Sequence, residues 1–278
     1  MLTLTLDYTF KKVFAEHYKI LIHLVNSLMN FAKGQWIDCI QVLNPKIRPE
    51  DITQKFIVLD ILAYDNFDRR FNIEMQAKKF DYYQDRAAYY LSRLFSKQLE
   101  RGDEYGYVSA ALGIHILNYV QYPDIADFHY EFLFRDTNHH EIILSENIAL
   151  HMFELPKINP EYRNQSDRNQ WLYFIKNAHK EKEKDIMTNY SIPEIHQAYQ
   201  ILKQLSQDEE AKLHAEARQM ALMTERISLR NAKNEGRNEG ENEGKKIVAK
   251  NLIQAGMPFD QVALMTELDI HSLYKLAK

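Results

Sequence analysis

Asp60, Glu74 and Gln76 have the residue types and spacing that predict metal chemistry. They belong to two strand-like segments, Phe56–Tyr64 and Arg70–Lys78. Directly opposed residues of an antiparallel pair have Cβ atoms about 4.5–5.5 Å apart, so two facing carboxylates repel unless a proton, water or a cation offsets them. Carboxylate and carbonyl oxygens are the ligands that Mg²⁺ prefers. The three side chains therefore predict an oxygen-rich site for a hard divalent cation.

The predicted hairpin brings these oxygens together. The polar stretch at 65–69 predicts a five-residue loop. If the turn centres on Phe67, Asp60 lies opposite Glu74. Odd-numbered positions of both strands are apolar and predict the buried face: Ile57, Leu59, Ile61, Ala63, Phe71, Ile73, Met75 and Ala77.

The polar residues of the other face have a second interpretation. Polar residues that alternate with apolar ones usually mark a solvent-facing strand surface, and Glu74 and Gln76 alone fit that description. Asp60 fits it less well, because it interrupts the apolar run Phe56–Ala63 and Asp is disfavoured in strands. The pairing argument alone leaves both a metal site and a solvated sheet surface open.

The hydrophobic pattern of the rest of the sequence predicts the helices and strands that position these residues. Asp7 precedes the first predicted helix, where it would act as an N-cap, with an acid supporting the metal site as the alternative. The run Ile148–Phe153 fits either a helix or a strand. Periodicity predicts helices at 8–32, 80–101, 167–183 and 193–230, and further strands at Trp36–Leu43, Val108–Val120 and Phe128–Phe134.

The C-terminal part of the chain changes in composition. Residues 234–245 read NEGR-NEGE-NEGK. Each interior Gly costs a helix about 1 kcal/mol relative to Ala, so this repeat predicts a frayed helix or a flexible linker. Beyond it, Lys246–Ala255, Pro258–Glu267 and Ile270–Ala277 predict a small helix-turn-helix-like unit, with a packing or dimerising tail as an equally strong alternative.

The predicted organisation therefore has four parts. Residues 1–165 form an α/β domain and residues 166–233 a helical extension. Residues 234–245 form the linker and residues 246–278 the helical tail.

Composition limits the classes of partner. Hydrophobic residues make up 45% of the chain, enough for a globular core, and the net charge of −4 means that nucleic acid would bind through a local patch. The single cysteine, Cys39, excludes a disulfide framework or a thiolate zinc site within one chain. The short apolar start and the lack of a long apolar run predict no signal peptide, no membrane partner and a cytoplasmic location.

A basic helix follows the predicted hairpin. Residues 78–101 hold six basic and three acidic side chains in an otherwise acidic protein. Helical spacing places four of the candidates on one face, where they would contact DNA phosphates. An ordinary solvated helix face is the alternative. The candidates are Lys79, Arg86, Tyr90, Arg93 and Lys97.

Four segments together resemble the Rpn family of recombination-promoting nucleases and transposases, within the PD-(D/E)XK superfamily. They are DYTFKKVF at Asp7–Phe14, VLDILAYD at Val58–Asp65, FNIEMQ at Phe71–Gln76 and the helix pattern from Arg86 to Tyr105. The resemblance covers about the first 150 residues well, and the helical C-terminal third fits more loosely.

The resemblance implies an α/β fold, a restriction-endonuclease-like mixed sheet flanked by helices and followed by a helical C-terminal region. It implies metal ligation by Asp60 and Glu74, with Mg²⁺ as the cofactor and Mn²⁺ as an alternative. The superfamily's usual lysine falls at Gln76, so Lys78 or the metal alone would supply the positive charge. The implied function is DNA endonuclease activity in recombination or transposition.

Two alternatives accompany this expectation. A catalytically weak DNA-binding or interaction protein could retain the nuclease fold. The C-terminal helices could also join copies of the chain into a homo-oligomer.

Overall fold

The computed structural model describes residues 1–44, 61–100 and 102–276, with the backbone alone at Tyr162. The chain divides into two compact units, residues 1–219 and 220–278. In the first unit, six strands of the described ranges form one mixed sheet with helices on both faces. This is the α/β architecture predicted from the sequence.

The N-terminal segment forms two helices, α1 (Asp7–Phe14) and α2 (Tyr18–Met29). A single helix over 8–32 was the wrong prediction, because His17 has non-helical backbone angles and separates the two. Asp7 is also not the N-cap that its position predicted. Its carboxylate instead accepts hydrogen bonds from the guanidinium of Arg218.

The first three strands are β1 (Ile40–Val42), β2 (Ile61–Asp65) and β3 (Arg70–Gln76). β2 and β3 pair in the predicted register, shown by the Leu62–Asn72 pair. The predicted partner of Glu74, Asp60, lies outside the described residues, as does most of the predicted strand before Ile61. The loop has four residues rather than five, because β2 extends through Asp65.

A crossover helix, α3 (Tyr83–Ser96), connects β3 to the parallel strand β4 (Ala111–Leu117). The sheet is completed by β5 (His129–Arg135) and β6 (Ile143–Glu154), so Ile148–Phe153 belongs to a strand. The strand order is β1-β2-β3-β4-β6-β5. Its β3–β4 and β4–β6 pairs are parallel and the others antiparallel. Every β4 residue is buried, as expected for a strand with parallel neighbours on both sides.

The two faces of the sheet pack against different helices. The odd-numbered apolar residues of β2 and β3 belong to the main hydrophobic core, together with residues of α1 and α2. Three further helices supply residues to the same core: α4 (Asp167–Asn177), α5 (Glu183–Asn189) and α6 (Pro193–Leu205). On the other face, α3 packs over β4 and β6. The boundary expected at residue 165 therefore falls inside one packed unit.

A long helix, α7 (Glu209–Gln254), begins in the first unit and continues into the second. It remains helical through the repeat at 234–245, where the sequence predicted a frayed helix or linker. α8 (Phe259–Thr266) and α9 (Ile270–Leu276) follow, close to their predicted positions. Asp269 accepts a hydrogen bond from the Ser272 backbone N–H at 2.9 Å, as expected of a cap. Within the described ranges, no helix combines the length and apolar character needed to cross a membrane.

The shared core predicts which fragments fold. A fragment of residues 1–165 should lack cooperative thermal unfolding, because it loses the fully buried Trp171, Phe174 and Ile195. A fragment of residues 1–232 keeps all three and should melt close to the full chain. Circular dichroism on both fragments measures this, and a cooperative transition in the shorter one would contradict it.

Candidate active site

Three polar side chains of β3 form a buried row beneath α3. Asn72, Glu74 and Gln76 retain only 3%, 5% and 6% of their surface exposed. The interpretation of this face as a solvated sheet surface is therefore wrong. A buried carboxylate needs a paired charge and hydrogen bonds to offset the loss of water. The contacts around Glu74 supply both.

Arg86 provides the counter-charge for Glu74. One guanidinium nitrogen of Arg86 donates to Glu74 Oε1 at 2.5 Å and to Gln76 Oε1 at 3.4 Å. The guanidinium also lies over the rings of Tyr83 and Phe80, at 5.5 and 5.9 Å from their centroids. Two side-chain oxygens on β3 thus converge on one cationic group that α3 carries.

The second oxygen of Glu74 faces a tyrosine–histidine pair. The Tyr83 hydroxyl is 3.5 Å from Glu74 Oε2, and His115 Nδ1 is 3.7 Å from it. Tyr83 and His115 share a 2.7 Å hydrogen bond. His115 occupies this place because it pairs with Glu74 in the parallel β3–β4 ladder.

Burial determines the charge of His115. Desolvation lowers the pKa of His115 below its usual value and outweighs the opposing effect of Glu74, while Arg86 lowers it further. The imidazole is therefore neutral near pH 7. A neutral ring and a phenol hydroxyl leave Arg86 as the charged partner of Glu74.

Burial also affects Tyr119, whose ring meets that of Tyr83 edge to face. Desolvation raises the pKa of Tyr119, with a further contribution from Glu74. The hydroxyl of Tyr119 has no hydrogen-bond partner within the described part of the chain. The surroundings of Glu74 therefore contain the protonated phenol of Tyr119 and the neutral imidazole of His115.

Only part of the predicted metal set can be located. Asp60 lies outside the described residues, whereas Glu74 and Gln76 stand together as predicted. Lys78 is not on the strand, because β3 ends at Gln76, and its backbone carbonyl accepts from Gln76 Nε2 at 3.0 Å. No cluster of three or more His, Cys, Asp or Glu side chains suited to a metal occurs among the described residues.

The donor chemistry at Glu74 and Gln76 nevertheless fits a hard divalent cation. Both side chains present oxygen atoms, which are the ligands of Mg²⁺. Both already contact a single cationic nitrogen, that of Arg86. A site completed by a further carboxylate would match the preference of such an ion.

The predicted DNA-contacting residues are divided between two environments. Arg86 turns toward Glu74. Tyr90, Arg93 and Lys97 instead line one cavity between β3 and α3. Lys79 is exposed in the segment that precedes α3.

The sequence interpretation did not identify Tyr83 or His115 as site residues. Each left a signal in the sequence. His115 is a titratable residue in the apolar run Ala110–Leu117, and Tyr83 lies three residues before Arg86 on the same helical face. Gly113, two residues before His115 on β4, limits which residue types fit at its own position. A Cβ there would lie 2.6 Å from Leu150 Cδ1.

The Glu74–Arg86 pair should be visible as coupling in protein stability. Arg86→Met leaves a buried carboxylate unpaired and should lower the free energy of unfolding by about 2 kcal/mol. Breaking a fully buried pair costs more, but the Arg86 side chain is 38% exposed. The Glu74→Gln, Arg86→Met double variant should lose less than the sum of the single losses. Urea unfolding without divalent metal measures all four proteins, and additive losses would exclude the coupling.

His115 predicts a direction for acid sensitivity. Its folded-state pKa is below its unfolded value, so the unfolded chain binds more protons and stability falls as pH drops below about 6.5. The loss of stability between about pH 7.5 and pH 5.5 should be smaller in His115→Gln than in the parent. Urea unfolding at both pH values tests this. The exposed His140→Gln is the matched control and should behave like the parent.

One family model matches most of this chain. The sequence profile of the PD-(D/E)XK nuclease family transposases matches residues 4–232, a span that includes every described site residue. No curated protein and no solved structure gives a significant match. The mixed sheet, the flanking helices and the helical C-terminal region fit the same family. The chain belongs to the PD-(D/E)XK nuclease family transposases.

Proposed function

We propose that this protein is a divalent-metal-dependent DNA endonuclease that acts in recombination or transposition. One observation carries the proposal beyond family membership: Glu74 Oε1 and Gln76 Oε1 converge on a single cationic nitrogen at a nearly dry position. Nuclease chemistry needs such oxygens, since a cation must offset the negative charge that develops on the phosphate.

Asp60 and Glu74 would hold the metal, with Gln76 completing its surroundings. Mg²⁺, or Mn²⁺ as an alternative, acidifies a bound water and polarises a phosphoryl oxygen when present. The chain's own residues prepare this position. The Tyr83 hydroxyl would orient the Glu74 carboxylate through its second oxygen, and His115 would hold that hydroxyl by their shared hydrogen bond.

Arg86 is better placed than Lys78 to replace the lysine that is usual in the superfamily. Its guanidinium reaches the Gln76 carbonyl oxygen at 3.4 Å, so a positive charge stands beside the position of that lysine. An arginine stays charged across the physiological pH range and can contact a phosphate through several N–H groups. In the proposed enzyme, Arg86 stabilises negative charge on the scissile phosphate.

DNA would approach along the basic side of α3. Arg93 and Lys97 lie on the same cavity wall as Tyr90, and neither cation forms an ion pair within the described ranges. Lys79 supplies a further exposed charge. These contacts give affinity without sequence recognition, as phosphate contacts do.

A catalytically weak DNA-binding protein is the second candidate. The observation that favours it is the same ion pair, because Arg86 already neutralises the carboxylate that a metal would use. The cytoplasmic location and assembly through the C-terminal helices also stay proposals. Assembly is supported by exposed apolar side chains in the second unit, such as Leu264 and Met265.

Loss of either carboxylate should abolish cleavage. Glu74→Gln and Asp60→Asn should each lower Mg²⁺-dependent plasmid nicking at least about a hundredfold, because the metal loses a charged ligand worth several kcal/mol. The control is Glu131→Gln, which removes a half-exposed carboxylate from β5 of the same sheet.

Thermal unfolding with and without Mg²⁺ accompanies the nicking assay. The parent should gain stability with Mg²⁺ and the two site variants should not, since only a protein that binds the ion is stabilised by it. A Glu74→Gln protein that nicks at the parent rate would place the nuclease site elsewhere. A folded parent that neither nicks nor responds to Mg²⁺ would favour the second candidate.

A further inference from the structure

A cavity of about 370 Å³ lies beside Glu74, between β2, β3 and α3. Its volume is within the range of small-molecule and cofactor sites. Asn72, on its wall, is two residues from Glu74 on the same side of β3, a separation of about 6.6 Å along a strand. The cavity is lined by Leu62, Arg70, Asn72, Tyr90, Arg93, Leu94 and Lys97.

Three basic side chains line this cavity. Arg70, Arg93 and Lys97 form no ion pair with the part of the chain that the structure describes, although the protein as a whole is acidic. By contrast, Arg86 is paired with Glu74 in the adjacent site. Basic side chains along one cavity wall favour an anionic ligand such as a phosphodiester backbone.

Asn72 adds a requirement that phosphate alone does not meet. Its side-chain oxygen is buried and has no hydrogen-bond partner among the residues that the structure describes, and the residue is 3% exposed. A buried acceptor without a donor is unfavourable, so a ligand in this cavity should bring an N–H or O–H group. Phosphodiester oxygens only accept, whereas the edges of nucleobases donate.

The remaining wall is apolar and aromatic. Leu62, Leu94 and the ring of Tyr90 provide surfaces against which a flat ring can pack. In a duplex, each base is stacked on its neighbours and its Watson–Crick edge is paired. Aromatic side chains therefore stack on bases of unpaired strands.

A second cavity of about 380 Å³ shares Arg70 with the first. Tyr107 lies on its wall, and the Gln98 side chain holds the backbone there by two hydrogen bonds with Ser109. Asp68 also lines this cavity and is the acidic residue among its described lining. Arg70 thus joins two neighbouring spaces, each with at least one tyrosine.

From these contacts we infer that the cavity between β3 and α3 takes an unpaired nucleotide. The substrate is then single-stranded DNA, or a duplex with unpaired bases, and its strand continues past Arg70 toward Tyr107. The base packs against Tyr90 and donates to Asn72, while Arg70, Arg93 and Lys97 hold phosphates. This inference rests on the proposed DNA-nuclease function and specifies the substrate of that same site.

DNA binding without divalent metal tests the inference independently of cleavage. The full chain is titrated, in chelator, against a labelled single strand and against a hairpin duplex of the same sequence. We expect the single strand to bind at least about tenfold more tightly than the duplex. Equal affinities, or tighter duplex binding, would overturn the inference.

Variants of one tyrosine separate stacking from charge. Tyr90→Leu should weaken single-strand binding by roughly tenfold and leave duplex binding unchanged, whereas Tyr90→Phe, which keeps the ring, should bind like the parent. Tyr18→Leu is the matched control, since Tyr18 lies on α2, is 58% exposed and does not line the cavity. A uniform loss for both DNA forms in folded Tyr90→Leu would also overturn the inference.

The charge of the cavity has its own readout. Arg93→Gln should reduce the slope of log affinity against log salt by about 0.7 for the single strand, the contribution of one phosphate contact. An unchanged slope would remove Arg93 from the strand path and contradict the inference.

Plasmid nicking by the parent distinguishes failure of this inference from failure of the proposed nuclease function. A parent that nicks with Mg²⁺ but binds both DNA forms equally retains the proposed function and loses only the unpaired-nucleotide site. A parent that neither nicks nor binds either form contradicts both.

Discussion

The candidate site depends on the ion pair between Arg86 and the nearly buried carboxylate of Glu74. A carboxylate that loses its water is stable only with a cation and hydrogen bonds around it. Here Arg86 supplies the cation, and Tyr83 with His115 flanks the second oxygen. Arg86 and Tyr83 reach Glu74 because α3 lies over this face of the sheet, and His115 reaches it because β4 pairs with β3. The crossover β3–α3–β4 is therefore both the main connection of the sheet and the frame of the site.

The buried polar row Asn72, Glu74 and Gln76 takes the place of apolar side chains on one face of the sheet. On that face, α3 contributes Tyr83, Ala87 and Leu91 to a small apolar cluster over β4 and β6. The opposite face carries the large core, in which Phe71 and Ile73 of β3 meet α1, α2 and the helices beyond residue 166. Stability thus comes mainly from the face that does no chemistry, as expected when functional sites reduce local packing.

Short-range patterns explain what the sequence could predict. The alternation along β2 and β3 predicted the hairpin register, and the structure shows it in the Leu62–Asn72 pair. The burial of Glu74 was not predictable in the same way, because it depends on α3 docking over the sheet. The Asp7–Arg218 ion pair joins residues 211 positions apart, which no local pattern reveals. The break at His17 also lacks a Gly or Pro signal, so packing rather than propensity determines it.

The residue type at position 76 is related to the positive charge that Arg86 of α3 brings next to it. A lysine at 76 would place a second cation where Arg86 already contacts the Gln76 carbonyl at 3.4 Å. Two cations at that distance repel unless both face negative charge, and Glu74 offers one carboxylate to them. A neutral amide removes the repulsion and also accepts a hydrogen bond from Arg86. In the proposed site, glutamine at 76 would allow the positive charge to come from α3 instead of β3.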